Sequence, residues 1–187
     1  MGKSKKRVLK NKRHVVVIGP PGGRKTGISQ IISKLTGIPV VIIDDEIVKA
    51  CKKKTLEEVT KLLKGNFSKK EGKVAIQVLK NSTCQTIFDT GGSIIYSPKA
   101  MKLFKKYGFI IYLTASMRTL LKRIAKRLDR GIDMRGYSSL KKLLNSRKPK
   151  YKKWKDWTVS TEGNKAEVAK KIVKRLTKEH IVSKPKH

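Results

Sequence analysis

The chain has 187 residues, with 47 lysines and arginines against 13 acidic residues, and its formal net charge is +34. This length suits one domain with a single packed core, and no apolar run is long enough to cross a bilayer. The 2 cysteines have neither metal-ligand spacing nor a disulfide framework. We therefore expect an intracellular protein without a membrane partner, in the cytoplasm or in an organelle.

The positive charge exceeds what solubility requires and predicts a polyanionic partner. An A- and T-rich genome would enrich both lysine and asparagine, yet the chain has 37 lysines and only 5 asparagines. The lysine excess therefore favours RNA as the partner, either ribosomal RNA or another ribonucleoprotein. No RNA-recognition motif accompanies this charge, so binding would rest on phosphate contacts.

In chain order, the segment 1–13 carries seven basic side chains and no acidic one, which predicts a disordered basic arm. A short buried strand at 14–18 leads into a Gly-rich turn at 19–26. An apolar-periodic helix follows at 25–36 and ends at Gly37, because glycine readily adopts the left-handed conformation of a helix C-terminus.

Strands and helices then alternate along the chain. Capping boxes at Thr55 and Ser68 predict the starts of two helices. Further strands are predicted at 38–43, 83–89, 109–113 and 157–160, and further helices at 98–107, 116–128, 138–146 and 164–179. This alternation is typical of a parallel sheet covered on both faces. Residues 14–179 should therefore form a three-layer α/β/α domain around a central, mostly parallel five-stranded sheet, followed by a basic tail at 180–187.

The Gly-rich turn has the context of a phosphate-binding loop, because a strand precedes it and a helix opening on Lys-Thr follows it. Such a helix N-terminus presents free N–H groups and a positive dipole end to an anion. Lys25 would reach the outer phosphates of ATP, and the Thr26 hydroxyl would ligate Mg²⁺. The candidate nucleotide-binding residues are Gly19, Gly22, Gly23, Arg24, Lys25 and Thr26.

Two questions about this loop stay open. The phosphate-loop pattern has glycine where Arg24 stands, and the arginine side chain either obstructs the phosphates or adds a positive partner to them. The alternative to a nucleotide site is a plain Gly/Pro turn between a strand and a helix.

The order of motifs resembles the shikimate kinases, a family of small P-loop kinases, over about residues 13–176. The resemblance implies the P-loop kinase fold and, if the site works, ATP and Mg²⁺. The matching segments are the loop at 19–26, Asp44-Asp45-Glu46-Ile47, Asn66 to Glu71, Thr90-Gly91-Gly92-Ser93, Arg130 and Arg147 to Tyr151.

The resemblance also implies roles for the matched residues. Asp44 would bind substrate hydroxyls and orient the attacking one, and Gly91 and Gly92 would let the backbone approach the substrate. Arg147 would pair with a substrate carboxylate, and Arg130 would cover the transferring phosphoryl group. Alternatively, Asp44 only caps a helix, and Arg147 only contacts RNA phosphates from within a basic run.

Several residues depart from the family pattern. Ile42 stands where an aspartate of the magnesium shell is expected, and Ser68 replaces an arginine that binds the substrate carboxylate. Thr90 replaces the first of three glycines, Gly131 stands where proline is common, and Arg24 replaces the loop glycine.

Two hypotheses follow. In the first, the chain is a catalytically impaired, shikimate-kinase-like protein without cofactors that acts as a basic RNA-binding or ribosome-associated structural protein. In the second, it is an active ATP-dependent shikimate kinase with Lys25, Asp44 and Arg130 as catalytic residues. Nucleotide binding as a switch without phosphoryl transfer is an intermediate case.

Overall fold

A five-stranded, all-parallel sheet forms the centre of the protein. The computed structural model describes residues 14–126 and 131–183. The strands are β1 (His14–Ile18), β2 (Val40–Ile42), β3 (Ile87–Asp89), β4 (Gly108–Thr114) and β5 (Trp157–Ser160). Their order in the sheet is β2-β3-β1-β4-β5, and every neighbouring pair is parallel. The predicted fold class is confirmed.

Eight α-helices of the described chain and one short 3-10 helix, Ile94–Tyr96, connect these strands. The α-helices are α1 (Lys25–Thr36), α2 (Ile43–Ala50), α3 (Leu56–Leu63), α4 (Phe67–Asn81), α5 (Pro98–Tyr107), α6 (Met117–Ala125), α7 (Leu140–Trp154) and α8 (Lys165–Lys178). The predicted arm at 1–13, Arg130 and residues 184–187 of the predicted tail lie outside the described residues. No helix of the described ranges is both long and apolar enough to span a bilayer.

The core consists of two apolar layers, one on each face of the sheet. Side chains alternate between the two faces along a strand, so Val16 and Ile18 pack with α2, α4 and α5. Val15 and Val17 pack on the other side with α1 and α8. β1 is completely buried because helices cover it on both faces, which explains its unbroken apolar sequence.

The local predictions hold best where a capping residue marks a boundary. Thr55 accepts a hydrogen bond from the Glu58 N–H (3.2 Å) at the start of α3, as its capping box predicts. Gly37 ends α1 with φ of 70° in the left-handed region. Pro98 begins α5, and Asn164 caps α8 through its side chain.

Four local predictions are wrong. Ser68 does not cap a helix, because α4 begins at Phe67 and places Ser68 in its first turn. The predicted strand 38–43 is shorter, since Ile43 already begins α2, and the strand predicted at 83–89 contracts to β3. The helix predicted to end at Ser146 continues through Pro149 to Trp154.

The longer α7 has a tertiary cause. Tyr151, one turn beyond the predicted end, is buried in the core, and its ring stacks on Tyr112 at a centroid distance of 5.1 Å. The burial of this helical face outweighs the unfavourable proline. As a result, the basic run that follows Ser146 belongs to a helix and has a buried side as well as an exposed one.

Candidate active site

A cleft of about 360 Å³ opens at the carboxyl ends of β1 and β3, beside the Gly-rich loop. This is the edge of a parallel α/β sheet at which ligands usually bind. The cleft is lined by eight of the residues proposed from the sequence: Gly22, Gly23, Arg24, Lys25, Thr26, Asp44, Gly92 and Arg147. The structure therefore brings both halves of the predicted site together around one cavity, whereas Arg130 lies outside the described residues.

The loop itself has the compact form that its glycines allow. The Gly23 N–H donates to the Pro20 carbonyl oxygen (3.0 Å), and Gly22 has φ of 76°. Lys25 folds over the loop and donates through Nζ to the carbonyl oxygens of Gly19 (3.0 Å) and Pro20 (3.3 Å). A Cβ on Gly19 would overlap the Leu113 carbonyl oxygen, so the loop packs directly against the end of β4.

Arg24 occupies the glycine position of the loop in a left-handed conformation, with φ of 60°. A non-glycine residue is strained there. Its guanidinium donates to the Gly163 carbonyl oxygen (2.7 Å), in the loop that follows β5, and it lines the cleft. Because the side chain is anchored on another element, this geometry favours Arg24 as an added positive partner over Arg24 as an obstruction.

A second guanidinium, which the sequence did not single out, joins the same elements. Arg123 of α6 donates to the Gly22 carbonyl oxygen (3.2 Å) and to the hydroxyl and carbonyl oxygens of Thr161 (3.0 and 2.8 Å). Burial and the neighbouring charge of Arg24 lower the pKa of Arg123. Glu162 lies 3.9 Å from Arg123 and offsets one of these charges, so the two guanidinium groups retain a net positive charge that would attract an anion.

Further cations line the same cleft, from the end of α6 and the start of α8: Lys126 and Lys165. Together with Arg24, Lys25 and Arg123, they surround the N-terminus of α1 with positive charge. A polyphosphate is the ligand whose charge suits this arrangement.

Two carboxyl groups lie close together beside Gly91: Asp44 lines the cleft, and Glu71 is buried next to it. A Cβ on Gly91 would overlap Oε1 of Glu71 and would lie 2.6 Å from Oδ1 of Asp44. The two carboxyl groups therefore converge over Gly91, and this close approach requires glycine there. The alternative in which Asp44 only caps a helix is wrong: the N-cap of α2 is Ile42, and Asp44 lies in the first turn.

Glu71 is completely buried and accepts a hydrogen bond from the Ser93 hydroxyl. Burial, followed by the charge of Asp44, raises the pKa of Glu71 from its ordinary value near 4.5 to about 8. Glu71 therefore favours its protonated form at neutral pH. Glu71 belongs to the predicted capping box that begins at Ser68, and that motif indicated only a helix-capping role for it.

Asp89 also lines the cleft, although none of the sequence motifs contains it. It ends β3, is 2% exposed, and pairs in register with Ile42 of β2. Ile42 is the position at which the family pattern has an aspartate, so Asp89 brings a carboxylate to the same level one strand away. A polar residue that closes an apolar strand was the available signal.

Thr26 and Asp89 both line the cleft, and their hydroxyl and carboxylate oxygens are donors of the kind that Mg²⁺ prefers. In the part of the chain that the structure describes, no group of three His, Cys, Asp or Glu side chains could hold a metal ion.

Arg147 also lines the cleft, although its side chain is only 2% exposed. Its Nη2 donates to the Asp133 carbonyl oxygen (2.9 Å), and the neighbouring Tyr151 hydroxyl donates to the Gly92 carbonyl oxygen (2.6 Å). The alternative in which Arg147 only contacts RNA phosphates is wrong, because its side chain faces the protein interior. Ser68, nearby, accepts a hydrogen bond from Arg135 (2.8 Å).

Comparisons with known proteins agree with this architecture. The family model for shikimate kinase matches residues 21–177. A shikimate kinase from Thermodesulfovibrio yellowstonii is 31% identical over 165 residues, which cover 87% of this chain and 94% of that protein. Threonine synthase-like 1 from Macaca fascicularis is 30% identical over 168 residues; the match covers 88% of this chain but only 22% of that longer protein.

Among solved structures, the shikimate kinase from Acinetobacter baumannii in complex with shikimate superposes with a TM-score of 0.76 at 18% sequence identity. The superposition covers 92% of this chain and 97% of the other. At this identity the likeness shows a shared fold.

The raised pKa of Glu71 predicts how stability depends on pH. The unfolded chain releases the Glu71 proton near pH 4.5, whereas the folded chain keeps it to about pH 8. The stabilising contribution of this proton is therefore complete below pH 4.5 and is lost as the pH rises to 8. We expect wild type to lose on the order of a few kcal/mol of unfolding free energy over this range relative to Glu71→Gln.

Urea denaturation between pH 4.5 and 9 measures this difference. Glu167→Gln, at an exposed glutamate of α8, is the matched control and should run parallel to wild type. Parallel curves for wild type and Glu71→Gln would contradict the assignment of a buried, protonated glutamate.

Proposed function

The chain belongs to the shikimate kinase family, and we propose that it is an active kinase that transfers the γ-phosphoryl group of ATP to a hydroxyl of a small carboxylic acid, with shikimate as the first candidate. The observation that carries this proposal is one cleft that is lined by the cationic phosphate loop, by the carboxylates Asp44 and Asp89, and by the buried Arg147. A protein without catalytic activity has no need to hold the cations of the loop and the carboxylates of the cleft close together.

The nucleotide half of the cleft supports triphosphate binding. Lys25 and the N-terminus of α1 would hold the β- and γ-phosphates. Arg24 and Arg123, which already line the cleft, would contribute further charge. Thr26 and Asp89 would hold Mg²⁺, and the metal supplies shielding of the phosphate charges when it is bound.

The acceptor half supports attack by a hydroxyl group. Asp44 would accept the proton of that hydroxyl. At the same time, the hydroxyl oxygen would form a bond to the γ-phosphorus, and the bond between this phosphorus and ADP would break. Glu71, neutral beside it, leaves Asp44 as the base of the pair. Arg147 would hold the carboxylate of the acceptor and so orient the hydroxyl toward the phosphate.

Lys25→Met tests this proposal. Wild type should convert ATP and shikimate to ADP and a phosphate ester in the presence of Mg²⁺. The variant should lower kcat by about 100-fold or more, because a fixed charge next to the transferring phosphoryl group is lost. A coupled assay of ADP release, together with mass spectrometry of the ester, measures both products.

Lys102→Met makes the same substitution at an exposed lysine of α5 and should leave kcat unchanged. Absence of any phosphate ester at high wild-type concentration would overturn the proposal, and so would a Lys25→Met variant with wild-type turnover.

The distribution of charge supports a second proposal, in which the chain binds RNA, and ribosomal RNA in particular, with its kinase site impaired or idle. Helix α7 has no acidic residue. Its exposed lysines are Lys141, Lys142, Lys148, Lys150, Lys152 and Lys153. A surface of this kind would neutralise RNA phosphates without reading bases.

The salt dependence of RNA binding tests the second proposal. The logarithm of the association constant for a ribosomal RNA hairpin should fall linearly with the logarithm of salt concentration. Replacing Lys152 and Lys153 by glutamine should reduce the slope by about two, one unit per lysine. Fluorescence anisotropy at several salt concentrations measures the slope.

Lys49 and Lys61 provide the control pair for this titration. Each is already paired with a glutamate at 2.7 Å, Glu46 and Glu57 respectively. Replacing both by glutamine should change the slope less than replacing Lys152 and Lys153. Salt-independent binding would remove the basis of the proposal.

A further inference from the structure

We propose that Arg135, in the loop before α7, binds the acid group of the acceptor together with Arg147 and thereby determines which acceptor is chosen. This inference rests on the proposed kinase function, because Arg135 adjoins Asp133 and shares the Tyr96 ring with Arg147, and both of these residues line the same cleft. The acceptor class it selects is a hydroxylated small molecule with a carboxylate, and an uncharged analogue would bind more weakly.

Arg147 supplies the first observation. Its side chain is 2% exposed and lines the cleft, and its Nη2 donates to the Asp133 carbonyl oxygen. Among the described residues, nothing accepts a hydrogen bond from its buried Nε. A buried guanidinium is costly unless its donors are satisfied. An anion in the cleft would provide the acceptor that this group lacks.

The position of the Arg135 guanidinium is the second observation. Its Nη1 donates to the Ser68 hydroxyl of α4 (2.8 Å), and its Cζ lies 4.1 Å from the ring centroid of Tyr96. Contacts with two separate elements fix the group in place. The side chain nevertheless remains 32% exposed, so a ligand can reach it.

The local charge balance is the third observation. Arg147 and Lys150 lie 5.7 and 5.6 Å from the same Tyr96 ring, so three cations surround one aromatic side chain. Asp133 contacts two of them: its carboxylate Oδ2 lies 3.9 Å from Nη1 of Arg135, and its backbone carbonyl oxygen accepts from Arg147. The cluster has more positive than negative charge, and the repulsion between its cations is relieved when an anion binds.

These observations also explain Ser68, the position at which the family pattern has arginine. The small serine side chain leaves space for a guanidinium that comes from residue 135, and its hydroxyl holds that guanidinium. The positive charge therefore approaches the acceptor from the loop before α7 instead of from α4. A planar guanidinium pairs well with a planar carboxylate.

Calorimetric titration of the full chain with shikimate and with its methyl ester tests this inference. The ester keeps the ring and hydroxyls and loses the carboxylate charge. Wild type should bind shikimate more tightly than the ester. Arg135→Gln should weaken shikimate binding by about tenfold, the usual effect of a lost charge-assisted hydrogen bond, and should leave ester binding unchanged.

Two further variants control this experiment. Arg175→Gln removes another arginine stacked on an aromatic ring, with Cζ 4.9 Å from the Trp157 centroid, and should bind both ligands as wild type does. The double variant Ser68→Arg with Arg135→Ser should recover most of the preference for shikimate. Thermal unfolding of each variant identifies any that fail to fold.

The outcomes separate this inference from the proposed function. If Arg135→Gln binds both ligands as wild type does, or if wild type does not prefer shikimate to the ester, the role of Arg135 is refuted while kinase turnover stands by itself. If binding depends on Arg135 but no phosphate ester forms, the proposed kinase function fails and the anion site stands.

Discussion

The parallel register of β1, β3 and β2 is the constraint on which the site depends. Val17, Asp89 and Ile42 pair across these three strands. The carboxyl-terminal ends of the strands therefore lie at one level beside the phosphate loop. Residues that pair in register on neighbouring strands place their side chains near the same point. A side chain on one strand can therefore take the role of the paired side chain on the next. A carboxylate at the end of β3 is therefore available to a metal even though β2 ends in isoleucine.

In the acceptor half of the site, too, the charged groups that meet at one point come from residues far apart in sequence. Arg135 contacts Ser68 across 67 residues of chain, and Glu71 faces Asp44 over Gly91. Burying these groups is unfavourable unless each has a partner, and their convergence suits a site that holds both an anion and a reacting hydroxyl. The departures from the family pattern can thus be relocated charges as well as lost ones.

The sequence was sufficient for the fold because its signals there are local. The apolar strand before Gly19, the capping residue Thr55 and the left-handed Gly37 each act on their immediate neighbours. The site was only partly predictable: matched motifs identified Asp44 and Arg147, but Asp89, Arg123 and Arg135 depend on pairings that no local pattern contains. The prediction that Ser68 caps a helix failed for the same reason, since its hydroxyl serves a distant arginine.

The metal dependence of ATP binding tests most directly whether Asp89 supplies the carboxylate that the family pattern has at position 42. Calorimetry with Mg²⁺ and with EDTA would compare wild type, Asp89→Asn, and Asp89→Asn combined with Ile42→Asp. We expect Asp89→Asn to reduce the Mg²⁺-dependent gain in ATP affinity by about tenfold and the added Ile42→Asp to recover it. An equal gain in wild type and Asp89→Asn would show that Asp89 does not hold the metal.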